Sequence, residues 1–339
     1  MIELVFFVPP SPDIAGGGSA YNRHLIVALR ELGCGVATVV IENEAQAHEG
    51  WDGLAGMAAG VIDGMVLPCF DAGPDRRPWL DGRAAALVHH PTALADPARR
   101  DLIRAAECRI LPHLACVVAT SAGVAARLVA EFGARPACVH VVEPGLGQFT
   151  RTMGDGDGAC HVLSVGRLAP RKGHDVLLHA LARLPDLDWR LTIAGDGHGD
   201  AAWTDGLGTL AASLGVADRV RLQEQPSGAE LARLWASADL FALASRRETT
   251  GAAMAEALRR GIPVAVTGCG TLPPGAGTSC LPGDSAGLSL CLRRMICDDG
   301  LRRGMAEAAW AAGQCLPAWP TQAARFLDAL GAAREPDAR

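Results

Sequence analysis

The feature that most constrains the fold is an alternation of short apolar runs with longer amphipathic patterns along the 339-residue chain. The first repeat reads ELVFFV, then YNRHLIVALRELG, then VATVVIE, and it is complete by Glu42. Strand, helix and strand in this order form a βαβ unit, whose strands pair in parallel within one sheet. The sequence therefore predicts an α/β protein with parallel sheets covered by helices on both faces.

Further apolar runs predict strands in both halves of the chain. In the first half the expected strands are 61–67, 85–88, 115–120 and 139–143, and in the second half they are 161–165, 190–194, 220–223, 240–244 and 264–267. Between the halves, RTMGDGDGA has no large apolar residue beyond Met153 and cannot join a core. We therefore predict two doubly wound, Rossmann-like domains, residues 1–152 and 160–316, joined by a linker at 153–159 and facing each other across a cleft.

The overall charge argues against a nucleic-acid partner. The formal net charge at pH 7 is −6, whereas nucleic-acid-binding domains are normally basic. One helical segment carries four arginines that could face a membrane-borne acceptor, although a solvated helix face is the more common role of such a pattern. These arginines are Arg99, Arg100, Arg104 and Arg109. We do not predict membrane contact.

The apolar segments and the cysteines indicate a cytoplasmic protein. No segment carries 18 uninterrupted apolar residues, and the start MIELVFFVPPSPD has no basic region of a signal peptide, so we expect neither a membrane span nor secretion. The eleven cysteines include no C-x-x-C pair, which fits small buried hydrophobic residues in a reducing cytosol. Their spacing does not match a metal site, and we expect no bound metal.

In doubly wound sheets, ligands bind beyond the carboxyl ends of the strands, so the residues that follow each strand are candidates for function. Gly16, Gly17 and Gly18 follow the first strand and precede a helix, which leaves backbone amides that a ligand could approach closely. A flexible turn before the helix is an equally good interpretation. His89 and His90 follow the 85–88 strand, and we expect one of the two imidazoles to contact a ligand.

Two cations follow the first strand of the second domain. Arg167 and Lys172 lie five residues apart in VGRLAPRKGHDVLLHAL, a loop that runs into a helix. A planar guanidinium, a compact ammonium and a helix N-terminus together suit a diphosphate, and solvated loop charges are the alternative. Gly195 begins a G-D-G turn after the next strand, which also favours a close approach of the backbone.

Two glutamates eight positions apart follow the 240–244 strand in SRRETTGAAMAEALRRGIP. Glu248 is expected at the strand end and Glu256 within the following helix. A carboxylate can accept paired hydrogen bonds from the hydroxyls of a sugar or a ribose. The alternatives are a helix N-terminal acid for Glu248 and a solvated helix charge for Glu256. The backbone amides that could hold phosphates between the two carboxylates are those of Thr249, Thr250 and Gly251.

With these motifs in this order, the chain resembles the retaining glycosyltransferases of family 4 over nearly its whole length. The most specific match is the E-x7-E motif, Glu248 to Glu256 within ASRRETTGAAMAEALRRGIPVAVT, supported by VGRLAPRKGHDVLLHAL and the GGG turn. The resemblance implies a GT-B fold, in which residues 317–339 pack back towards the first domain. It also implies retaining transfer of a hexosyl group from a nucleoside-diphosphate sugar, with UDP or GDP as the first candidates, to a hydroxyl acceptor, without a metal or other cofactor.

The resemblance also implies roles for single residues. Glu248 would contact the donor sugar and Glu256 the ribose hydroxyls, while His90 or its neighbour His89 would line the transfer site. The implied catalytic residues are His90, Arg167, Lys172 and Glu248, and the implied donor-binding residues are Gly16, Gly17, Gly18, His89, Gly195, Thr249, Thr250, Gly251 and Glu256. The threonines at 249 and 250 replace the aromatic–glycine pair that is usual in the family, and the short first domain leaves the acceptor class open.

Three other functions are compatible with the βα alternation. A nicotinamide oxidoreductase would carry G-x-G-x-x-G after the first strand, but the nearest string, Gly268-Cys269-Gly270, lacks the third glycine. A sugar-nucleotide epimerase can share the GT-B architecture, and release of free nucleotide with a transferred sugar would exclude it. A non-catalytic partner protein could bind the nucleotide sugar in support of another enzyme, and only turnover distinguishes it from a transferase.

Overall fold

The computed structural model describes residues 3–10, 17–54, 58–71, 84–94, 99–152, 154, 156, 158–197, 201–246, 251–268 and 272–334. The chain divides into two compact units, Met1–Gly145 with Pro317–Arg339 as unit 1 and Leu146–Leu316 as unit 2. Each unit contains one sheet of six strands, and all the strand pairs are parallel. The prediction of an α/β protein with two doubly wound units is confirmed.

The first boundary lies earlier than the 153–159 linker that the sequence predicts. The residues just before that linker belong to unit 2, because Thr152 is hydrogen-bonded to it. Its backbone N–H donates to the carbonyl oxygen of Arg260 over 2.8 Å, and its hydroxyl donates to the carbonyl oxygen of Trp235 over 3.1 Å. The segment from 146 to 152 is thereby fastened to unit 2 by polar contacts, which an argument from apolar residues alone does not detect.

The sheet of unit 1 has the strand order β2-β1-β3-β4-β5-β6. Its strands are β1 Glu3–Val8, β2 Gly35–Val40, β3 Ala59–Asp63, β4 Ala84–Val88, β5 Cys116–Ala119 and β6 Val139–Val141. The helices that follow them along the chain are α1 Gly17–Glu31, α2 Glu44–Asp52, α3 Arg100–Ile110 and α4 Ala122–Phe132.

The expected strand at 61–67 is wrong in its bounds, because β3 ends at Asp63. The carboxylate of Asp63 accepts the backbone N–H of Met65 over 2.8 Å, and the N–H of Val66 donates back to the Asp63 carbonyl oxygen over 3.0 Å. An aspartate that bonds the backbone two residues on initiates a turn. The apolar residues after this turn form a short 3-10 helix, Leu67–Phe70, instead of extending the strand.

Helix α4 shows how local sequence sets the helix ends in unit 1. The Ser121 hydroxyl accepts the backbone N–H of Val124 over 3.2 Å, and Gly133 adopts a left-handed conformation with φ 74° directly after the helix. Serine before the first turn and glycine after the last one satisfy backbone groups that the helix leaves unpaired. One face of the helix, with Leu128 and Phe132, is buried against the sheet.

The last helix, α11 Trp319–Arg334, belongs to unit 1 although it follows all the elements of unit 2 along the chain. Phe326 is fully buried and stacks on Phe6 of β1, with 6.0 Å between the ring centroids. Ala329 and Leu330 join the same cluster as Leu25 of α1. Burial of this apolar face fixes the helix on the sheet of unit 1.

The sheet of unit 2 has the strand order β12-β11-β10-β7-β8-β9. Its strands are β7 Cys160–Val165, β8 Trp189–Gly195, β9 Val220–Glu224, β10 Leu240–Leu243, β11 Val264–Thr267 and β12 Gly277–Cys280. Its helices are α5 His174–Ala182, α6 Ala201–Ser213, α7 Gly228–Ser237, α8 Ala252–Arg259, α9 Ser285–Cys297 and α10 Asp299–Gln314.

Strand β10 shows why the strands of this sheet have continuous apolar sequences. Leu240 and Ala242 join a core cluster with α5 and α9 on one face, whereas Phe241 and Leu243 join a second cluster with α7 and α8 on the other. All four side chains are fully buried. Helices on both faces require apolar residues at consecutive positions of the strand.

No helix in the described part of the chain combines the length and the apolar character that crossing a bilayer requires.

Candidate functional site

The carboxyl ends of β7, β8, β10 and β11 lie at one edge of the unit 2 sheet, because these neighbouring strands are parallel. The backbones pack closely there. A Cβ added at Gly195 would overlap the carbonyl oxygen of Gly166, and one added at Gly173 would overlap that of Ala244. Gly173 also has φ 65°, which glycine adopts most readily. From the sequence, the glycine at 195 was attributed to the close approach of a ligand. The close approach of the Gly166 carbonyl oxygen is sufficient to require glycine there.

Lys172 lies across the end of β7. It closes a 3-10 turn, Pro170–Lys172, and its side chain is largely buried. A Cβ added at Gly166 would lie 3.3 Å from Lys172 Cε and 3.6 Å from Nζ, so the ammonium packs directly on this glycine. Arg167, the next residue, is exposed. The structure therefore brings the two predicted cations to the same strand end, one buried and one at the surface.

A further cation that the sequence reasoning missed fastens the loop after β10 to the Lys172 turn. The Arg246 guanidinium donates to both oxygens of Asp175, over 3.0 Å and 2.6 Å, and its backbone N–H donates to the carbonyl oxygen of Arg171 over 2.9 Å. Burial alone would raise the pKa of the Asp175 carboxyl, but Arg246 outweighs it and the pKa is lowered. The only sequence signal was an arginine just after the strand end and an aspartate in the first turn of α5.

The loop that carries the first glutamate of the E-x7-E motif is described only at its two ends. Glu248, Thr249 and Thr250 lie outside the described residues. The last described residue before them is Arg246, which forms the ion pair with Asp175. The first described residue after them is Gly251, which precedes α8 and has φ 62°. The described ends of this loop are therefore fixed by an ion pair on one side and a helix start on the other.

His174 is the first residue of α5 and lies beside the two cations along the chain. Its side chain is fully buried, and neither ring nitrogen has a hydrogen-bond partner within the described residues. Burial lowers the pKa of the imidazole to about 4, and the charge of Lys172 acts in the same direction. The ring is therefore neutral at pH 7 and adds no positive charge to the turn.

Glu256 lies in α8, as the sequence predicts, and its carboxylate has a partner in the same helix. Glu256 Oε1 accepts hydrogen bonds from Arg260 Nε over 3.1 Å and from Nη2 over 2.7 Å. Among the described residues nothing else donates to this carboxylate. The four-residue spacing of the two residues is visible in the sequence, but their pairing was not anticipated.

In unit 1, His89 is part of a buried polar cluster at the ends of β3 and β4. His89 Nε2 lies 3.1 Å from Asn22 Oδ1 and 3.4 Å from Asp63 Oδ2, and the Asn22 amide donates to Asp63 Oδ2 over 2.5 Å. Gly18 packs against the ring, since an added Cβ would lie 2.8 Å from His89 Cδ2. The ring edge of Tyr21 completes the contact, with 5.2 Å between the centroids.

This cluster sets the charge of Asp63 and distinguishes the two histidines. Burial raises the pKa of the Asp63 carboxyl, but hydrogen bonds from His89, the Met65 backbone N–H and Asn22, together with the charge of His89, lower it below its usual value. The Nε2 side of His89 is thus occupied by protein groups.

His90 follows His89 and is half-buried. Gly17 and Gly18 form the first turn of α1, and Gly16 lies outside the described residues.

Within the described ranges, no group of three or more histidine, cysteine, aspartate or glutamate side chains is arranged to hold a metal ion.

The sequence comparisons match unit 2 to a known domain. Residues 156–308 match the model of the family described as "Glycosyl transferases group 1". A D-inositol 3-phosphate glycosyltransferase from Mycobacterium sp. (strain KMS) is 33% identical over 218 residues, which cover 58% of this chain and 49% of that protein. The chain therefore spans about half the length of the curated relatives it matches.

The structural comparisons cover nearly the whole chain. Sucrose-phosphate synthase from Thermosynechococcus elongatus has a TM-score of 0.81 and 19% identity, over 97% of this chain and 98% of that one. HepE from Anabaena, in complex with UDP and glucose, has a TM-score of 0.79 and 18% identity, over 98% and 100%. At these identities the likeness concerns the fold, which is the GT-B fold of glycosyltransferases. The segment similar to the glycosyl transferases group 1 model, residues 156–308, lies within unit 2 of this fold.

Proposed function

We propose that the protein transfers a hexosyl group from a nucleoside-diphosphate sugar to a hydroxyl acceptor, with retention of the anomeric configuration and without a metal ion. The observation that carries this proposal is the position of Lys172, largely buried against Gly166 at the carboxyl end of β7, with Arg167 beside it. A cation that water only partly screens interacts strongly with a diphosphate. The names of the relatives, which include glycosyltransferases and a protein bound to UDP and glucose, support the same assignment.

In this proposal the donor lies along the carboxyl edge of the unit 2 sheet. Arg167 and Lys172 hold the diphosphate, the amides of Thr249, Thr250 and Gly251 hold its oxygens, and Glu256 accepts the ribose hydroxyls. Glu248 contacts the transferred sugar. The G-D-G turn at Gly195 approaches the donor through its backbone. UDP and GDP are the first nucleotides to test, and UDP has precedence because HepE binds it.

Catalysis would come from stabilisation of the leaving group. The bond between the anomeric carbon and the β-phosphate oxygen breaks, and its electron pair moves to the diphosphate, where Lys172 and Arg167 balance the charge. The acceptor hydroxyl attacks from the same face and passes its proton to the departing phosphate oxygen. We propose that His90 contacts the transferred sugar, while His89 holds its position through Asn22 and Asp63. Gly16, Gly17 and Gly18 would present amides to the phosphate or the acceptor.

Turnover with defined donors tests the proposal. The full chain is incubated with UDP- and GDP-hexoses and with a panel of polyol and sugar-phosphate acceptors, in buffer that contains EDTA. We expect release of one nucleoside diphosphate in step with a glycosylated product, whose anomeric proton in NMR spectra shows the configuration of the donor. Activity should be the same with and without EDTA.

The other outcomes contradict the proposal in different ways. An isomerised nucleotide sugar without release of nucleotide would identify an epimerase. Tight binding of a nucleotide sugar without any turnover across the panel would identify a non-catalytic partner protein. A product with inverted configuration would preserve glycosyl transfer but overturn the mechanism, and loss of activity in EDTA would overturn metal independence.

A further inference from the structure

We propose that Arg260 is a positioning residue that orients the Glu256 carboxylate for the ribose of the donor. This inference rests on the proposed function, because it assigns Glu256 to the ribose hydroxyls. It adds a residue that lies outside the E-x7-E motif and that makes the ribose specificity of the site depend on a cation four residues further along the chain.

The hydrogen-bond geometry supports orientation of the carboxylate. Both Arg260 nitrogens bond the same oxygen, Oε1, over 3.1 Å and 2.7 Å. Oε2 has no partner among the described residues, so one oxygen is fixed and the other retains its capacity to accept a hydrogen bond. Two charge-assisted N–H donors that converge on one oxygen hold that oxygen more firmly than a single donor does. In the proposal, Oε2 is the oxygen that accepts the ribose hydroxyls.

Aromatic rings hold the guanidinium itself. Its central carbon lies 4.1 Å from the centroid of the Phe149 ring and 5.3 Å from that of Trp235. The backbone of Arg260 is also fixed, because its carbonyl oxygen accepts the N–H of Thr152 over 2.8 Å. Cation–π contacts of this kind are stronger when water is excluded, and only 12% of the Arg260 side chain is exposed. Arg260 is therefore a fixed support and not a flexible surface charge.

A comparison within the chain separates this pair from an ordinary helix ion pair. Arg127 and Glu131 on α4 have the same four-residue spacing and bond over 2.9 Å, but 38% and 35% of their side chains are exposed. Such solvated pairs hold their partners weakly. The Arg127 pair therefore serves as a control with the same residue types and spacing in the opposite order along the helix, and without an aromatic contact among the described residues.

The test measures discrimination between ribose and its deoxygenated form. Kd values are determined by titration calorimetry for UDP, or GDP if that is the nucleotide bound, for the 2′,3′-dideoxy form of the same diphosphate and for inorganic diphosphate. We expect the wild type to prefer the ribonucleotide by about 30-fold, since two hydroxyl hydrogen bonds are lost in the dideoxy form. In Arg260→Met the preference should fall to about 3-fold, with an affinity for the dideoxy form within about 3-fold of the wild type.

Two further variants complete the test. Arg260→Lys retains the charge but lacks the fork, and it should also lose most of the ribose preference, which excludes a purely electrostatic effect on an anionic ligand. Arg127→Met should leave all three Kd values unchanged. In the double variant Arg260→Met with Glu256→Gln, the ribose preference should be no lower than in Glu256→Gln alone, because the arginine acts only through the glutamate.

Several results would overturn the inference. Equal loss of affinity for the ribonucleotide, the dideoxy form and inorganic diphosphate in Arg260→Met would assign to the arginine a general electrostatic role. A lower Tm with an unchanged ribose preference would assign to it a structural role. Failure of the wild type to bind any nucleoside diphosphate would remove the proposed function as well, whereas the first two results would leave it intact.

Discussion

Replacing Lys172 by methionine should lower kcat by about 10²- to 10³-fold, while the Kd of the intact nucleotide-sugar donor should change by less than about 5-fold. The ammonium packs on Gly166 at the end of β7, where it is largely shielded from water. Charge on the diphosphate grows as the glycosidic bond breaks, so the lysine should interact more strongly with the transition state than with the bound donor. Methionine keeps the apolar stem of the side chain and removes only the charge.

The measurement is kcat and kcat/KM for the donor, with the Kd of the intact donor determined separately by calorimetry in the absence of acceptor. Arg171→Met is the matched control, because Arg171 is the exposed neighbour of Lys172 in the same turn and its removal should change kcat by less than about 3-fold. Equal losses in kcat and in donor affinity for Lys172→Met would contradict a role of the lysine that is specific to the transition state. A wild-type rate would show that it has no role in transfer.

Protonation of His174 should destabilise the fold by about 3 kcal/mol as the pH falls from 6.5 to 4. The pKa of this imidazole is about 4 in the folded chain, against 6.5 for an ordinary histidine, because it is buried without hydrogen-bond partners among the described residues and lies near Lys172. In this range the unfolded chain binds a proton that the folded chain does not, so the free energy of unfolding rises with pH. The stability that depends on a neutral His174 is fully present above pH 6.5 and is lost as the pH falls from 6.5 to 4.

The free energy of urea unfolding should be compared between the wild type and His174→Leu at pH 7.5, 6.5, 5.5 and 4.5. Leucine has a similar volume and cannot be protonated, so the variant should lack this part of the pH dependence. Its free energy of unfolding should therefore increase relative to that of the wild type as the pH falls. His179→Gln, which removes an exposed imidazole from the same helix, should keep the wild-type profile. Parallel profiles for the wild type and His174→Leu would contradict the assignment.

Fold class was predictable because it depends on patterns that cover many residues. The apolar run at β10 and the caps of α4 are each explained by short-range rules, and β11 has the bounds that the sequence predicts. Strand β12 was missed because its residues, GTSC, contain little apolar surface and lie at an edge of the sheet. Strand β3 was misplaced because a side chain, Asp63, ends it with a turn that its apolar neighbours conceal.

The candidate site was predictable as a set of positions but not as a set of contacts. Lys172 and Glu256 were predicted as site residues because functional groups in this class of sheet follow the strand ends, and these assignments stay predictions. The pair of Arg246 and Asp175 joins residues 71 positions apart, which no local pattern reveals. Arg260 was overlooked although its spacing from Glu256 is local, because its significance depends on the rings of Phe149 and Trp235.

The most direct test of the central claim, that the protein takes a nucleoside-diphosphate donor at the edge of the unit 2 sheet, is thermal unfolding in the presence of nucleotides. The wild type, Glu256→Ala and the control Glu131→Ala are each heated with UDP, GDP, ADP, TDP and NAD. A ligand at 100 times its Kd should add about 2.7 kcal/mol to the stability of the wild type and of the control. We predict a rise in Tm with one nucleoside diphosphate that is lost in Glu256→Ala. No shift with any diphosphate, or a shift with NAD alone, would contradict the account.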